Sequence, residues 1–248
     1  FIGGSVPASE HSVMCLSGSD NEVETFRRLI QDTFPTGVVS VVSDSWDYWK
    51  VITDYSKQLK DVIMSRQPNA IGLNKVVFRP DSGNPVDIIC GTAVKLNVCN
   101  NQLDMELAVE KYFLSNSEQF NSNEGYEITI VNNEGKYNTF VVSSHEYDGD
   151  MYYEISCSWE TEETPELKGS VECLWEIFGG TTTDKGYKLL DCHVGLIYGD
   201  SITLERAQEI LKRLEAKGFA SGNIVFGIGS YTYQYQTRDS LGFAMKAT

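Results

Sequence analysis

The sequence predicts a mixed α/β protein in which a parallel sheet covered by helices is interrupted by an antiparallel, β-rich insertion. Three observations carry this. Short apolar runs of strand length alternate at least four times with stretches of helical periodicity, the pattern of βα units. Four of these strands run into polar loops: Ser43-Asp44-Ser45, Arg79-Pro80-Asp81-Ser82-Gly83, Gly199-Asp200-Ser201 and Gly227-Ile228-Gly229-Ser230. Between the two halves, residues 94–160 change to period-two segments separated by turn residues.

Each element has its own local signal. Val23, Phe26, Leu29 and Ile30 recur at helical spacing between Ser19 and Phe34, and Ser19 with Glu22 fits a capping box. Val38–Val42 is a buried strand. A helix comes next, with Tyr48, Ile52, Tyr55, Leu59 and Val62 along one face. Lys75–Phe78 is the next strand, and Pro85 suits the first turn of another helix. A helix is expected around Leu107–Phe113. Strands at Tyr126–Val131, Tyr137–Ser144 and Met151–Ser158 make a three-stranded meander, broken at Asn132-Asn133-Glu134-Gly135 and Asp148-Gly149-Asp150. The α/β grammar then returns. It gives a helix over Ser170–Phe178 stopped by Gly179-Gly180, a strand over His193–Tyr198 and a helical stripe of Leu204, Ala207, Ile210, Leu211 and Leu214. A strand over Asn223–Phe226 comes after it, and another begins at Phe243–Ala247. The α/β domain therefore comprises 1–93 and 161–248, and the insertion 94–160. The bland account of the insertion is a solvated decoration.

Charge narrows the partners. Lys plus Arg is 20 against 35 for Asp plus Glu, a formal charge of −15. Such a surface repels nucleic acid and anionic lipid, and a phosphate-bearing ligand needs a local arginine, backbone N–H groups or a metal to offset the field. No apolar run reaches membrane-spanning length. No signal peptide is visible, and a cytoplasmic location is expected. The opening Phe1-Ile2-Gly3-Gly4 reads as a cut inside a larger protein. The six cysteines form no CxxC pair, so reduced structural thiols are expected and no metal-ligand set is assigned.

Chemistry concentrates at the strand ends, where ligands bind in parallel α/β sheets. Any one of the four loops is explained by turns and helix caps, but together they outline a shared polar rim. His11 beside Glu10 could accept a phosphate or act as a general acid–base, or be a polar structural residue. Arg79 offers a fork for phosphate. Asp81 can grip sugar hydroxyls or help hold Mg²⁺, and the alternative is a surface ion pair. Gly199-Asp200 repeats the idea. Gly227–Ser230 could present N–H groups to a phosphate, but Thr232 stands where a dinucleotide fingerprint has its third glycine. Arg238 could reach the same phosphate, while Tyr231, Tyr233 and Tyr235 serve packing or base stacking. The residues alone describe a ribose-phosphate site.

These motifs resemble a known family. SVPASEHS at 5–12, SVVSDSWD at 40–47, FRPDSGNP at 78–85, GYKLL at 186–190 with IYGDS at 197–201, and FGIGS at 226–230 with TRD at 237–239 occur in the order of the nicotinamide phosphoribosyltransferase family, a type II phosphoribosyltransferase, in its bacterial or phage form. The resemblance implies an irregular (β/α) barrel beside a second domain, in a homodimer with shared active sites. It implies formation of nicotinamide mononucleotide and pyrophosphate from nicotinamide and phosphoribosyl pyrophosphate, with Mg²⁺ and with ATP as the coupling substrate. His11 then matches the transiently phosphorylated histidine, preceded by Glu10. Arg79, with Pro80 beside it, matches the arginine contacting the pyrophosphate and nucleotide, and Asp81, Gly199 and Asp200 match the ribose contacts. Gly229 and Ser230 match a glycine pair at the 5′-phosphate, with Ser230 departing from that pattern. Arg238 matches an arginine supplied by the dimer partner. Ser5, Ser40 and Asp44 fall inside the same motifs as supporting residues. The family's aromatic clamp and amide-reading aspartate are expected upstream of Phe1 and its lysine-rich loop beyond Thr248, so the chain alone is expected not to turn over. A nicotinate or related type II enzyme, and a catalytically silent ribose-phosphate-binding fragment, are the alternatives.

Overall fold

The computed structural model describes residues 5–116, 125–147 and 150–228. They form two compact units, one taking in the chain up to Cys90 and again from Gly169, the other Gly91–Lys168. In chain order the strands are β1 (Val39–Val42), β2 (Val76–Arg79), β3 (Val94–Lys95), β4 (Tyr126–Val131), β5 (Tyr137–Tyr147), β6 (Asp150–Thr161), β7 (Gly180–Thr182), β8 (Lys188–Leu190), β9 (Val194–Tyr198) and β10 (Ile224–Phe226).

The first unit is built on a four-stranded sheet of order β1-β2-β9-β10, with every neighbouring pair parallel. All four residues of β1 are buried, the signature of a strand covered on both faces. Phe78, Leu196 and Val41 lie side by side in the register and join Phe26, Ile52 and Leu174 in one apolar core. Two hydroxyls enter that core satisfied. Tyr48 Oη bonds Ser170 Oγ at 2.6 Å, and Tyr198 Oη donates to the Gly83 carbonyl at 2.7 Å. A mixed α/β architecture with a parallel sheet and separate antiparallel strands is therefore what the alternating pattern produces.

The helical segments depart from the expected boundaries. Ser19–Phe34 is not one capped helix. A 3₁₀ turn at Ser19–Asn21 leads into an α-helix at Glu22–Arg27 and a π-helical turn at Arg28–Thr33. The α-helix starts three residues late, so Glu22 occupies its first position, not its third, and no side-chain cap forms. Glu22 is instead buried, and its Oε1 has no hydrogen-bond partner. The helix after β1 is similarly broken, with a π-helical turn at Val51–Tyr55 and a kink at Leu59, whose φ is −96° and ψ 0°. Tyr48, Ile52, Tyr55 and Leu59 do face the core. The wider turn and the kink rotate the last helical turn, so that Ile63 is fully buried while Val62 packs against the core only in part. Strand β9 also begins one residue later than expected, leaving His193 in the preceding turn.

The second unit carries the antiparallel strands β4-β5-β6, with residue-by-residue pairing from Tyr126↔Val142 to Val131↔Tyr137 in the first hairpin. Its sheet has four strands, not three, because the two-residue β3 adds in parallel to β4. The helix Gln102–Ser115 is capped by Asn101, whose Oδ1 accepts from the Asp104 N–H at 3.2 Å. It buries Met105, Val109 and Phe113 against Ile128, Ile130, Phe140 and Val142. The small β7–β8 hairpin of the first unit was also invisible in sequence, its strands being three residues each and mostly exposed. Among the described residues no helix is long and apolar enough to cross a membrane, and the six cysteines are free thiols.

Candidate active site

Parallel strands deliver their connecting loops to one edge, so the loops after β1, β2, β9 and β10 meet at the carboxyl end of the sheet. The amino-terminal segment is stitched to that edge from outside. Ser9 N–H donates to the Ser40 carbonyl and Ser40 N–H to the Pro7 carbonyl, both at 2.9 Å, and Ser9 Oγ accepts from Val42 N–H at 2.9 Å. This added bridge against β1 sets His11, the first residue of the short helix His11–Cys15, over the rim.

His11 is held from both sides. Its Nδ1 lies 3.0 Å from Ser45 Oγ. Its Nε2 faces two carboxylates, Asp44 Oδ1 and Asp81 Oδ2, each at 3.8 Å. The Asp44 side chain is 5% exposed. Its Oδ2 accepts from Asp81 N–H at 2.9 Å and from Ser82 Oγ at 2.5 Å, which clamps the β2 loop, while Oδ1 has no hydrogen-bond partner. Arg79 donates from Nη2 to the Ser9 carbonyl at 2.7 Å. It also stands 3.7 Å from Glu10 and 3.6 Å from Asp81, and its buried Nε has no hydrogen-bond acceptor. Burial raises the Asp81 pKa, with Asp44 and Glu10 adding to the rise and Arg79 and His11 opposing it. The cluster is thus a histidine, an arginine and three acids arranged around donors and acceptors left open.

Glycine is required where the loops touch. A Cβ on Gly199 would overlap Asp81 Oδ1 and crowd the Arg79 side chain, and one on Gly227 would overlap the Gly199 and Tyr198 backbone. Backbone bonds close the same contacts: Gly199 N–H to the Pro80 carbonyl at 3.2 Å and Gly227 N–H to the Tyr198 carbonyl at 2.8 Å.

The structure brings together His11, Glu10, Asp44, Arg79, Pro80, Asp81 and Gly199. Ser40 sits below them in β1, buried, with an unpartnered Oγ. Ser5 and Asp200 are exposed, and no contact among the described residues draws either into the cluster. Gly229, Ser230 and Arg238 lie outside the described residues, as do Tyr231, Tyr233, Tyr235 and the strand expected at Phe243–Ala247. Sequence reasoning missed four serines that hold the site: Ser45 on His11, Ser9 on Arg79, Ser43 on the Arg79 N–H at 3.2 Å, and Ser82 on Asp44. All lie inside motifs already singled out, but a serine in a loop looks the same whether it caps a turn or orients a ring. A second group, Asp191, Cys192 and His193, gathers at the opposite end of β9 with its ligand atoms within 4.8 Å of one another.

Comparison with known proteins places the chain that carries this rim in a family. The family model described as "Nicotinate phosphoribosyltransferase (NAPRTase) family" matches residues 2–135 and 148–248, so the chain belongs to that family. Among its relatives, a nicotinamide phosphoribosyltransferase of Acinetobacter baylyi is 48% identical over 247 residues, covering 100% of this chain and 36% of the relative. One of Mycoplasma pneumoniae is 34% identical over 252 residues, covering 100% of this chain and 40% of the relative. One of Xanthomonas campestris pv. campestris is 27% identical, covering 99% and 35%. The chain therefore spans between about a third and two fifths of the length of these relatives.

Proposed function

We propose that this chain carries the ribose-phosphate and pyrophosphate site of a nicotinamide phosphoribosyltransferase, which forms nicotinamide mononucleotide and pyrophosphate from nicotinamide and phosphoribosyl pyrophosphate. The observation that carries the reading is the meeting of His11, Asp44, Arg79 and Asp81 at one rim. In the reaction the C1–oxygen bond to pyrophosphate breaks as the C1–nitrogen bond to the pyridine forms. Positive charge builds on the ribose and negative charge on the leaving group. Arg79, anchored on Ser9 through Nη2, contacts the nucleotide and meets the leaving group with its guanidinium. Asp81, with the neighbouring loop at Gly199-Asp200, holds the ribose hydroxyls.

His11 serves as phosphate acceptor. With Nδ1–H donating to Ser45 Oγ, the lone pair resides on Nε2. Nε2 attacks the γ-phosphorus of ATP, the N–P bond forms, the bond to the bridging oxygen breaks and ADP leaves. Asp44 Oδ1, buried with no hydrogen-bond partner, and Asp81 suit Mg²⁺, which commonly takes one or two carboxylates together with phosphate oxygens. Bound there, Mg²⁺ would neutralise charge on the phosphates. The four-stranded parallel sheet is in this reading an arc of an irregular (β/α) barrel, in a cytoplasmic homodimer whose partner subunit supplies Arg238. Nicotinamide, not nicotinate, is favoured by the activity for which the relatives are named.

Incubation of a protein containing this chain with ATP and Mg²⁺ should give an acid-labile phosphoenzyme. His11→Ala should abolish the label with the fold intact, and Ser45→Ala should slow its formation. Labelling that persists in His11→Ala rejects the assignment.

A further inference from the structure

The turn between β8 and β9 gathers a carboxylate, a thiol and an imidazole on three successive residues. Asp191 N–H bonds the Gly179 carbonyl at 3.1 Å and Val194 N–H bonds the Asp191 carbonyl at 3.0 Å, which closes a tight turn. Asp191 Oδ1 accepts from His193 N–H at 2.9 Å and lies 2.6 Å from His193 Nδ1. Cys192 Sγ lies 3.6 Å from the same nitrogen. The carboxylate and the ring are partly buried and the thiol is exposed, so the group is fixed by the backbone yet open to solvent. It stands at the amino end of β9, whereas Gly199 and the proposed active site stand at its carboxyl end.

We propose that Asp191, Cys192 and His193 form a binding site for a borderline divalent transition metal of the Zn²⁺ or Co²⁺ kind. Zn–S bonds of about 2.3 Å and Zn–N or Zn–O bonds of about 2.0–2.2 Å at tetrahedral angles separate neighbouring ligand atoms by about 3.3–3.6 Å. The Sγ–Nδ1 distance already meets this, and the Oδ1–Nδ1 pair needs to open by less than about 1 Å. One nitrogen, one sulfur and one oxygen donor is a set that favours Zn²⁺ over Mg²⁺ or Ca²⁺. Solvent fills the fourth position, as in open zinc sites. On binding, the thiol proton passes to solvent as the sulfur–metal bond forms. The Nδ1 proton that faces the Asp191 carboxylate moves through solvent to Nε2, freeing Nδ1 to ligate, and because the thiol proton is released binding strengthens as pH rises. The bound ion ties the β8–β9 connection at the edge away from the substrate, and its effect is on stability.

Cobalt titration of the full chain under a non-thiol reductant tests this. The expected result is one equivalent of Co²⁺ giving a near-ultraviolet thiolate-to-cobalt band with visible four-coordinate bands, displaced by Zn²⁺, and a melting temperature that rises with metal. Cys192→Ser, an exposed and conservative change, should remove the thiolate band, while Cys15→Ser and Cys99→Ser should keep it. Asp191→Asn and His193→Gln should each weaken binding about tenfold or more. Absence of a thiolate band at saturating Co²⁺, its survival in Cys192→Ser, or metal bound only through non-thiolate ligands overturns the proposal.

Discussion

The two ends of the parallel sheet each hold an arginine, one spent on backbone carbonyls and the other set among carboxylates. Arg66, at the amino end, is buried and spent. Its guanidinium donates to the carbonyls of Phe34, Gly37 and Asn74 at 2.8, 3.0 and 3.3 Å and to that of Ile30. Burial pushes its pKa down, yet four carbonyls hold it in place and tie the helix before β1 to the turn before β2. Arg79, at the carboxyl end, makes one backbone bond, keeps Nε without an acceptor and is flanked by acids at 3.6–3.7 Å. A cation with four of its five N–H donors held by carbonyls supports the fold, whereas donors left in reserve fit the ligand contact proposed for Arg79.

The sharpest way to break this contrast is Arg66→Ala. It strands buried carbonyls that each cost about 1–3 kcal/mol when unsatisfied, so a loss of at least about 3 kcal/mol is expected in urea unfolding. A loss under about 1 kcal/mol would mean that the amino end does not rely on Arg66.

Glu22 tests how far the acidity of the rim reaches into the core. Burial, with Asp47 and Asp44 adding to it and Lys50 opposing, raises its pKa from 4.5 to about 7. A folded-state pKa above the unfolded value favours the native state at low pH. That stability is present below about pH 4.5 and is lost as pH rises to about 7, by up to about 3 kcal/mol. Glu22→Gln should flatten that part of the pH–stability profile and be the more stable protein at pH 8. An unchanged profile would place its carboxylate in a solvated setting.

Gly199→Ala puts a methyl group where Asp81 lies. It should leave unfolding within about 1 kcal/mol of wild type and, in a longer protein containing this chain with the base-binding segment, reduce nucleotide formation about 100-fold, the usual effect of displacing a site by about 1 Å. The smallest effect concerns the other unit. Replacing residues 94–160 by a short polar linker should change the stability of the parallel-sheet unit by less than about 1 kcal/mol, because loop length enters only logarithmically. Aggregation of the shortened chain would make that segment integral to the core.

Much of this was legible in the sequence where local signals are strong. β1 and β4 matched their apolar patterns almost residue for residue, and three strand-end motifs landed at one rim because parallel strands leave their loops no other place. The helix interruptions were not legible. A π-helical turn keeps the same residue types and changes only how deeply Val62 and Ile63 are buried. β3 has two residues, below the length at which alternation can be seen. In the site, the residue types with strong chemistry were found and the serines that aim them were not, since hydrogen-bond partners more than thirty positions apart, such as His11 and Ser45, leave no local pattern.

The proposed function requires the carboxyl-end rim to bind a ribose phosphate through Arg79 and Asp81. Calorimetric titration of the chain with nicotinamide mononucleotide tests it most directly. One site per chain is expected, weakened about tenfold or more in Arg79→Ala and in Asp81→Asn, since a hydrogen bond to a charged group contributes about 1.5–3 kcal/mol. Binding of the nucleotide with equal affinity by wild type and both variants would contradict it.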